Sequence, residues 1–448
     1  MKNIFKHTYE ELKEQFDETL NIDKSTYETS NDECTPIGCI EEMLAKIPDS
    51  IWTEKVKILD PCCGNGNFHL YAWEKLKSIG RTDKEIVRDN LYFNDINFKR
   101  LENVRKIYGD NANLTLFDFL RYPEDEKYDI IYANPPYAKF IKDGEGNYKR
   151  ASKNHTLVRD FLQKSLNVLK KNGILLFILP DNWMSLADRN RVIKELTEYQ
   201  FIHLDIHGAK KWFPKVGSSF TWIVMQKKKA TQDYTVSCKY RGRTITSTIP
   251  GNQRSYIPLL WTKEVQSIVS KTLDASHEKF KVQTSSDLHK YTKKSLISES
   301  PDPLEVCRYR FLNKGKKEWK TLVAPTPYVH RLIHTPRTTV WAKRPHKFQD
   351  GHKVFISTTD KYKTFVDNCG MTQSIAFIRC EDKVKAENIK EIMDHDLYRF
   401  LNNICRWGNF NNIRILQKMP IPKDENDIWG SFGITASEQK FIKENLAK

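Results

Sequence analysis

The sequence predicts a doubly wound, mostly parallel α/β sheet over its first half, followed by a second, α+β domain. The first half alternates short apolar runs, each closed by turn residues, with segments of helical periodicity. This alternation favours parallel strands joined by helices, and ligands in such sheets bind at the carboxyl ends of the strands. The chain has 448 residues, which is enough for two domains with separate hydrophobic cores.

The elements of the first half follow one another at short intervals. Apolar runs that predict strands lie at residues 55–60, 90–95, 114–117, 129–133, 174–179, 201–206 and 220–226. Segments that predict helices lie at residues 40–46, 67–78, 98–108, 157–170 and 191–199. Between them, residues 138–155 are glycine-containing, basic and without any period, so we expect a mobile loop there.

The alternation ends at the polar stretch of residues 227–233, and this change predicts the domain boundary. Residues 1–230 form the first predicted domain and residues 231–448 the second. The second half mixes strands and helices without repeats, and its clearest elements are strand-like runs at 353–357 and 374–379 and a helical segment at 388–405.

Net charge differs strongly between the two predicted domains. The chain carries a formal +16, of which residues 231–448 contribute +14 and residues 1–230 only +2. An ordinary solvated surface is one interpretation of this charge, and a surface that follows nucleic-acid phosphates is the sharper one. The candidate phosphate contacts are the basic clusters at residues 239–243, 314–320 and 343–347.

Apolar runs and cysteines bear on where the protein resides. The longest apolar run, residues 173–180, is too short to span a bilayer, and the first residues are too charged for a signal peptide. Nine scattered cysteines without Cys-x-x-Cys pairs indicate neither a disulfide framework nor a zinc site. We therefore expect a protein that is not secreted or membrane-bound but cytoplasmic, or located in the nucleoid or nucleus if its partner is nucleic acid.

Two glycines follow the first predicted strand. Residues 60–67 read DPCCGNGN, and Gly64 and Gly66 allow the backbone to turn tightly and approach a ligand closely. Without a third glycine this is not a dinucleotide fingerprint, and the pair alone also fits an ordinary strand–helix turn. Asp60, at the end of the strand, can accept hydrogen bonds from a ligand amine.

Carboxylates also follow the next two predicted strands. Asp95 closes the second strand, where a carboxylate in nucleotide-binding sheets accepts ribose hydroxyls. An isolated Asp there would more often be a helix N-cap. Asp118 and Phe119 follow the third strand, and they can hydrogen-bond an adenine amino group and cover the face of its ring. The place of these residues in one series of strand ends favours a nucleotide-like ligand.

The decisive motif is Asn-Pro-Pro-Tyr at residues 134–137, directly after a buried strand. Two consecutive prolines fix the backbone and remove two N–H donors, so nearby carbonyls remain available as acceptors. Asn134 adds a side-chain acceptor, and Tyr137 offers a flat face on which a base can stack. A rigid turn would explain the prolines alone, but it would not explain the three earlier signals at neighbouring strand ends.

Together these motifs resemble the amino-methyltransferases of DNA, specifically the adenine-N6 group of restriction-modification type with a C-terminal recognition domain. The resemblance implies the class I methyltransferase fold and S-adenosylmethionine as the cofactor. The cofactor-binding residues that it implies are Thr35, Pro36, Asp60, Gly64, Gly66, Asp95, Ile96, Asp118, Phe119 and Asn134. The catalytic residues that it implies are Asn134, Pro135 and Tyr137.

The resemblance is strong over residues 33–227 and weaker at 353–379 and 405–422, which resemble recognition-domain segments. Residues 231–340 resemble no known pattern. Phe213 falls where the family places an aromatic ring against the flipped base, so Tyr137 and Phe213 are the implied base-stacking pair.

The main chemical difficulty of the reaction that the resemblance implies lies with the nitrogen that receives the methyl group. The exocyclic amine of adenine is conjugated and poorly nucleophilic, whereas a sulfonium leaving group needs no acid. The side-chain oxygen of Asn134 and the carbonyl of Pro135 can hold both N–H bonds and orient the nitrogen, without a metal. An adenine must leave the duplex to reach them. The expected partner is double-stranded DNA, and a separately encoded restriction endonuclease is a further candidate.

Other functions share parts of this pattern. Methyltransferases that act on the glutamine amide of release factors also carry Asn-Pro-Pro-Tyr, but the large basic second half argues against that substrate. RNA adenine remains open, and N4 of cytosine is more often associated with Ser before the prolines. A non-catalytic nucleic-acid-binding module on the same fold would be expected to have broken motifs, whereas these motifs are intact. The sequence leaves the recognition site undetermined.

Overall fold

The structure of the chain is a computed structural model. It describes residues 1–20, 33–125, 127–137, 140–142, 148–150, 156–188, 191–214, 216–217, 219–299, 305–313, 316–324, 328–359 and 361–446. Apart from a short hairpin, the loop predicted at residues 138–155 lies outside the described residues. Within the described part, no helix combines the length and the apolar character needed to cross a membrane.

The chain divides into two compact units, Met1–Lys263 and Glu264–Lys448. The division therefore lies later than the boundary predicted at residues 230 and 231. The reason is that residues 234–249 continue the sheet of the first unit instead of starting a new domain, as the pairing of Thr235 with His203 and of Cys238 with Ile206 shows. In the polar stretch, residues 227–229 end one strand, and residues 230–233 connect it to the next strand of the same sheet.

The first unit contains a nine-stranded sheet, counted over the described residues, and a separate two-stranded hairpin. Its strands are β1 (Ile58–Asp60), β2 (Leu91–Asp95), β3 (Asn113–Leu116), β4 (Tyr128–Ala133), β5 (Phe140–Lys142), β6 (Tyr148–Arg150), β7 (Leu169–Pro180), β8 (Tyr199–Ile206), β9 (Phe220–Lys229), β10 (Tyr234–Tyr240) and β11 (Arg243–Ile249). Its helices are α1 (Tyr9–Glu18), α2 (Ile37–Leu44), α3 (Asn67–Ser78), α4 (Asp83–Glu85), α5 (Phe98–Tyr108), α6 (Thr156–Val168) and α7 (Val192–Leu196).

The strand order of the large sheet is β11-β10-β8-β9-β7-β4-β1-β2-β3. All of these strands run parallel except β9 and β11, which run antiparallel to their neighbours. The last eight residues of β7 are buried, as expected for a central strand covered on both faces. The mostly parallel α/β sheet predicted from the alternation is therefore confirmed.

Helix ends in the first unit depart from the predicted bounds for local reasons. The helix predicted over 157–170 ends at Val168, because Leu169 already pairs with Tyr128 and begins β7. The helix predicted over 40–46 starts earlier, at Ile37, directly after Pro36. Proline restricts the backbone and lacks an N–H, so it fits the start of a helix better than its interior.

In its described residues, the second unit mixes two four-stranded sheets, a hairpin and helices, consistent with the predicted α+β class. Its strands are β12 (Gln283–Thr284), β13 (Ile297–Ser298), β14 (Glu305–Asn313), β15 (Lys316–Ala324), β16 (His330–Thr335), β17 (Thr338–Ala342), β18 (Lys353–Ser357), β19 (Thr364–Asp367), β20 (Gly370–Met371) and β21 (Ile375–Arg379). Its helices are α8 (Lys263–Lys271), α9 (Lys383–Asp394), α10 (Asp396–Asn403), α11 (Ile413–Leu416), α12 (Ile428–Ser431) and α13 (Ala436–Leu446).

The two sheets of the second unit have the orders β12-β21-β18-β19 and β13-β17-β16-β20, and β14 pairs with β15. The single helix predicted over 388–405 is two helices. His395 separates them, because its backbone is extended and its side chain accepts a hydrogen bond from the N–H of Leu397. A side chain that caps a new helix in this way ends the previous one.

The placement of β10 in the first unit predicts how truncated chains behave. A fragment of residues 1–263 should be more stable than a fragment of residues 1–230 by more than about 3 kcal/mol. Val236 and Cys238 on β10 and Trp261 beyond it are buried, and each such side chain contributes about 1.5–3 kcal/mol. Urea unfolding followed by circular dichroism measures the difference. Equal stability of the two fragments would show that β10 is not part of this folding unit.

Candidate active site

The predicted site residues lie at one edge of the sheet. β4, β1, β2 and β3 are consecutive neighbours and run parallel, so their carboxyl ends meet at the same edge. Asp60 ends β1, Asp95 ends β2, and Asn134 follows β4 directly. The structure thus brings together motifs that are far apart in the sequence, at the edge where such sheets bind ligands.

The loop after β1 depends on its two glycines. Gly64 has φ 55° and Gly66 has φ 87°, conformations that residues with a Cβ adopt at a cost. A Cβ on Gly66 would lie 2.9 Å from a ring carbon of Tyr108, whereas a Cβ on Gly64 would meet nothing within 4 Å. Gly66 is therefore required for packing of α3 against the core. Gly64 borders open space, which gives a ligand room to approach the backbone.

Two buried carboxylates lie beneath this loop. Asp95 accepts hydrogen bonds from the backbone N–H of Gly64 at 2.9 Å and of Asn97 at 2.8 Å, and Arg100 lies 3.9 Å away. Asp60 accepts from the N–H of Cys62 at 3.1 Å. Burial raises the pKa of Asp60 well above its ordinary value, and the negative charge of Asp95 adds to this effect. A positively charged ligand group beside this pair would favour the ionised form of Asp60.

Some of the residues that follow β2 and β3 are exposed to solvent, and others are buried in the core. Ile96 is 56% exposed and Phe117 is 43% exposed, and the N–H of Phe117 donates to the carbonyl of Asp95. Asp118 is exposed and accepts from the N–H of Leu120 at 3.1 Å. Phe119, by contrast, is 1% exposed. Its ring packs on Tyr122 and Phe161.

The ring of Phe119 thus belongs to the core in this structure, and we expect its role at the site to be limited to its backbone. Ile96 and Phe117 supply the exposed apolar surface instead. The sequence reasoning missed Phe117, although its position directly before Asp118, at the end of the predicted third strand, was a usable signal.

The Thr35 segment connects the glycine loop to the Asn-Pro-Pro-Tyr motif. Thr35 is buried, and its carbonyl accepts a hydrogen bond from the side chain of Asn67 at 3.0 Å. The hydroxyl of Thr35 accepts from Nδ2 of Asn134 at 3.3 Å, and the carbonyl of Glu33 accepts from the same nitrogen at 3.2 Å. Pro36 then begins α2 as its N-cap. Both predicted residues of this segment therefore lie at the site.

The side chains of Asn134 and Tyr137 in the Asn-Pro-Pro-Tyr motif form a hydrogen bond with each other. The hydroxyl of Tyr137 donates to Oδ1 of Asn134 at 2.8 Å. Pro135 between them is buried, and the thiol of Cys62 donates to the carbonyl of Asn134 at 3.7 Å. With Nδ2 bound to the Thr35 segment, the amide of Asn134 has a fixed orientation. The Oδ1 atom of Asn134 accepts the hydrogen bond from the Tyr137 hydroxyl, and rotation of the Tyr137 side chain would free this oxygen.

An aromatic cluster adjoins this motif. The ring centroid of Phe220 lies 6.0 Å from that of Tyr137 and 5.4 Å from that of Phe213. The two predicted stacking residues therefore share one neighbour, and both Phe213 and Phe220 are buried. Nothing in the sequence marked Phe220, because its role depends on β9 starting beside the carboxyl end of β7.

A histidine–aspartate pair holds the start of β9. Nε2 of His207 lies 2.9 Å from Oδ2 of the buried Asp181. The backbone N–H of His207 donates to the carbonyl of Phe220, and the backbone N–H of Asp181 donates to the carbonyl of Ser219. His207 has φ 68°, a strained conformation for a residue other than glycine. The pair thus fixes the backbone of Phe220 from both neighbouring strands, and the sequence analysis did not identify it.

Comparisons with known proteins agree with this geometry. Residues 50–213 match the family model described as Eco57I restriction-modification methylase. M.VspI, a type II methyltransferase from Vibrio sp. (strain 343), is 27% identical over 190 residues, which are 40% of this chain and 44% of that protein. M.AccI, a type II methyltransferase from Acinetobacter calcoaceticus, is 30% identical over 148 residues, 31% of this chain and 25% of that protein.

The chain is related to the restriction-modification DNA methyltransferases. The matches cover less than half the length of either relative. A nuclease-deletion mutant of the Type ISP restriction-modification enzyme LlaGI, in complex with a DNA substrate mimic, has a TM-score of 0.54 and 12% identity, covering 92% of this chain and 54% of that chain. The DrdV–DNA complex has a TM-score of 0.53 and 10% identity, covering 98% and 60%. These likenesses extend over both units, and the predicted methyltransferase fold class is confirmed.

The buried carboxylate of Asp95 yields a prediction about the implied cofactor. Asp95→Asn should weaken S-adenosylmethionine binding about ten-fold or more, because hydrogen bonds to a charged group contribute about 1.5–3 kcal/mol. The asparagine keeps one oxygen, which can accept from the N–H of Gly64 but not also from that of Asn97, so circular dichroism should establish that the variant remains folded. Isothermal titration calorimetry measures the affinity, and Asp110→Asn, an exposed carboxylate in the same unit, is the control. Unchanged affinity in Asp95→Asn would remove Asp95 from the cofactor site.

Proposed function

We propose that the chain is a site-specific DNA methyltransferase that transfers a methyl group from S-adenosylmethionine to N6 of an adenine flipped out of duplex DNA, within a restriction-modification system. The observation that carries the proposal is the fixed amide of Asn134, which lies between the Thr35 segment and Tyr137. It sits at the same sheet edge as the glycine loop and its two buried carboxylates.

The residues at this edge fit S-adenosylmethionine. Gly64 leaves open space over the backbone, Asp95 supplies a buried carboxylate, Asp60 supplies a buried carboxyl group that can accept hydrogen bonds, and Ile96 and Phe117 offer exposed apolar surface for an adenine ring. Asp95 would accept the ribose hydroxyls, and Asp118 would accept from the adenine amino group. When bound, the cofactor supplies a methyl group on a sulfonium, a leaving group that needs no general acid.

The side chains of this chain act on the acceptor amine. Oδ1 of Asn134 and the carbonyl of Pro135 would accept both N–H bonds of the adenine amine, orient its nitrogen and favour the positive charge that develops on it. Because the Tyr137 hydroxyl now donates to Oδ1, the incoming amine must replace that hydrogen bond. Rotation of Tyr137 away from Asn134 would at the same time present its ring for stacking on the base.

The aromatic cluster would form the walls of the base pocket. Tyr137 and Phe213 are the proposed stacking pair, and Phe220 packs against both rings. Base–aromatic stacking contributes about 1–3 kcal/mol per base, which offsets part of the cost of unstacking the adenine from the duplex. We assign Phe220 the role of positioning the other two rings.

The net positive charge of the chain supports DNA as the partner. Because the observed boundary lies later than the predicted one, the net charge of each unit differs from that of the predicted domains. Residues 1–263 carry 41 Lys and Arg against 35 Asp and Glu, whereas residues 264–448 carry 32 against 22. Both units are therefore basic, and the second unit retains the larger excess. LlaGI and DrdV were both solved with DNA, and we extend that partner to this chain, with the first unit as the catalytic domain and the second as the recognition domain.

The three basic clusters differ in their location and in how accessible their side chains are for binding phosphates. Residues 239–243 lie at the β10–β11 turn, so they belong to the first unit and not to the recognition domain. In the cluster at 343–347, Arg344 forms an ion pair with Asp287 at 2.9 Å, and Lys343 lies over the ring of Tyr328. The side chains of residues 314–320 lie outside the described part. Lys347, whose Nζ lies 4.9 Å from the ring centroid of Phe348, is exposed, whereas Lys343 and Arg344 are partly buried, so Lys347 is the most accessible cation of this cluster.

Substitutions of Asn134 and of Tyr137 should impair different steps of the proposed reaction. Asn134→Ala should slow the methyl-transfer step by about 10²-fold or more while leaving cofactor and DNA affinity nearly intact, because it removes an acceptor needed in the transition state. Tyr137→Ala should also weaken capture of the flipped base. Tyr137→Phe keeps the ring and frees Oδ1 of Asn134, so it should stay active and capture the base at least as well.

Single-turnover methyl transfer and the fluorescence of 2-aminopurine at the target position measure these two effects separately. Full single-turnover rate in Asn134→Ala would contradict the proposed catalytic site. If Tyr137→Phe lost as much activity as Tyr137→Ala, the hydroxyl would be required and the stacking role would be wrong.

A further inference from the structure

An exposed aromatic ring stands on the loop of residues 407–412 (WGNFNN) of the second unit. Phe410 is 59% exposed, whereas Trp407 and Asn411 on either side are buried. Single exposed apolar residues are common on protein surfaces and need no explanation by themselves. The feature that sets Phe410 apart is the rigidity with which the loop holds it out.

Backbone geometry and hydrogen bonds fix the loop before Phe410. Gly408 has φ 63° and Asn409 has φ 66°, so two consecutive residues are left-handed. The guanidinium of Arg406 donates to the carbonyl of Asn409 at 2.7 Å, and the N–H of Asn409 donates to the carbonyl of Arg406 at 3.1 Å. These contacts close a tight turn whose direction carries Phe410 outward.

A buried amide fixes the loop after Phe410. The side chain of Asn411 accepts from Nδ2 of Asn402 at 2.9 Å and donates to the carbonyl of Ser357 at 2.7 Å. Its backbone N–H donates to the carbonyl of Thr358 at 3.0 Å. Buried polar groups that are satisfied in this way rigidify the backbone. Phe410 therefore cannot turn inward without breaking several hydrogen bonds.

The segment of the chain that contains the loop carries cations but no acidic residue. Asn411 ties the loop to the end of β18, and the hydroxyl of Thr358 donates to the carbonyl of Ser374, just before β21. From residue 397 to residue 423 the sequence contains no Asp or Glu and five cations, which are Arg399, Arg406, Arg414, Lys418 and Lys423. Arg399 and Lys418 form ion pairs with acids outside this stretch, and Arg414 is exposed.

A rigid, exposed ring in a cationic and polar setting matches the chemistry of nucleic acid. Aromatic side chains stack on bases that have left the helix or insert between base steps as wedges, while neighbouring cations bind phosphates. A protein partner would instead need a contiguous apolar patch, whereas Asn409 and Asn411, the neighbours of Phe410 in the chain, are polar. The charge therefore favours duplex DNA as the occupant.

We propose that Phe410 is an aromatic wedge that stacks on a base of the DNA bound by the second unit. This role rests on the proposed function as a DNA methyltransferase and is separate from the Tyr137–Phe213 pair, which serves the target adenine. The test uses the full chain and a pool of DNA duplexes with a randomised centre. Phe410→Ala should lower duplex affinity by about 5- to 150-fold, the equivalent of about 1–3 kcal/mol of stacking.

Two further variants make the test specific to stacking. Phe410→Trp keeps a flat ring and should bind within about three-fold of the wild type, since any π-face can stack on a base. Val384→Ala, which truncates a 71% exposed apolar side chain on α9 of the same unit, should bind like the wild type. The salt dependence of Phe410→Ala should match that of the wild type, because phosphate contacts are retained. Wild-type affinity in Phe410→Ala, or equal losses in Phe410→Ala and Phe410→Trp, would overturn the proposal.

Photocrosslinking locates the contact directly. Duplexes carrying 5-iododeoxyuridine should crosslink to the peptide that contains Phe410, and a crosslink map without this peptide would overturn the wedge. Failure of the proposed function would look different, because the wild-type chain itself would then bind no duplex. Self-association of the wild type that Phe410→Ala abolishes, with duplex affinity unchanged, would assign the ring to a protein interface and overturn the proposal.

Discussion

The amide of Asn134 is the interaction on which the arrangement of the site depends. Its nitrogen donates to the Thr35 segment, and its oxygen accepts from Tyr137. The same segment accepts from Asn67 at the end of the glycine loop. One planar group therefore connects the start of the chain, the proposed cofactor loop and the aromatic cluster. Because both ends of the amide are bound, it is oriented before any base arrives.

The grouping of the predicted site residues follows from the sequence because the carboxyl ends of parallel neighbouring strands meet at one edge of a sheet. The ends of four predicted strands carried Asp60, Asp95, Asp118 and Asn134, and β1 to β4 are neighbours in the sheet with those ends together. Strand bounds differed by a few residues, which does not move a residue to another edge. The fold class and the grouping of the motifs could therefore be predicted from periodicity and turn residues alone.

Other features could not be predicted because they depend on tertiary packing. The polar stretch after β9 looked like a linker, but β10 extends the sheet beyond it by pairing with β8. Phe119 looked like a ring for the cofactor, but it fills the core against Phe161. Phe220 carried no sequence signal, since strand order alone brings it to Tyr137. The outward ring of Phe410 depends on the buried amide of Asn411, which binds a strand distant in sequence.

The most direct measurement is the identity of the modified nucleoside in DNA from cells that express the chain, by mass spectrometry combined with methylation-sensitive sequencing. Cells that express the Asn134→Ala chain are the matched control. We expect N6-methyldeoxyadenosine in a single sequence context with the wild-type chain and none above background with the variant. Unmodified DNA, or N4-methyldeoxycytidine in place of the adenine product, would contradict the assignment of the site.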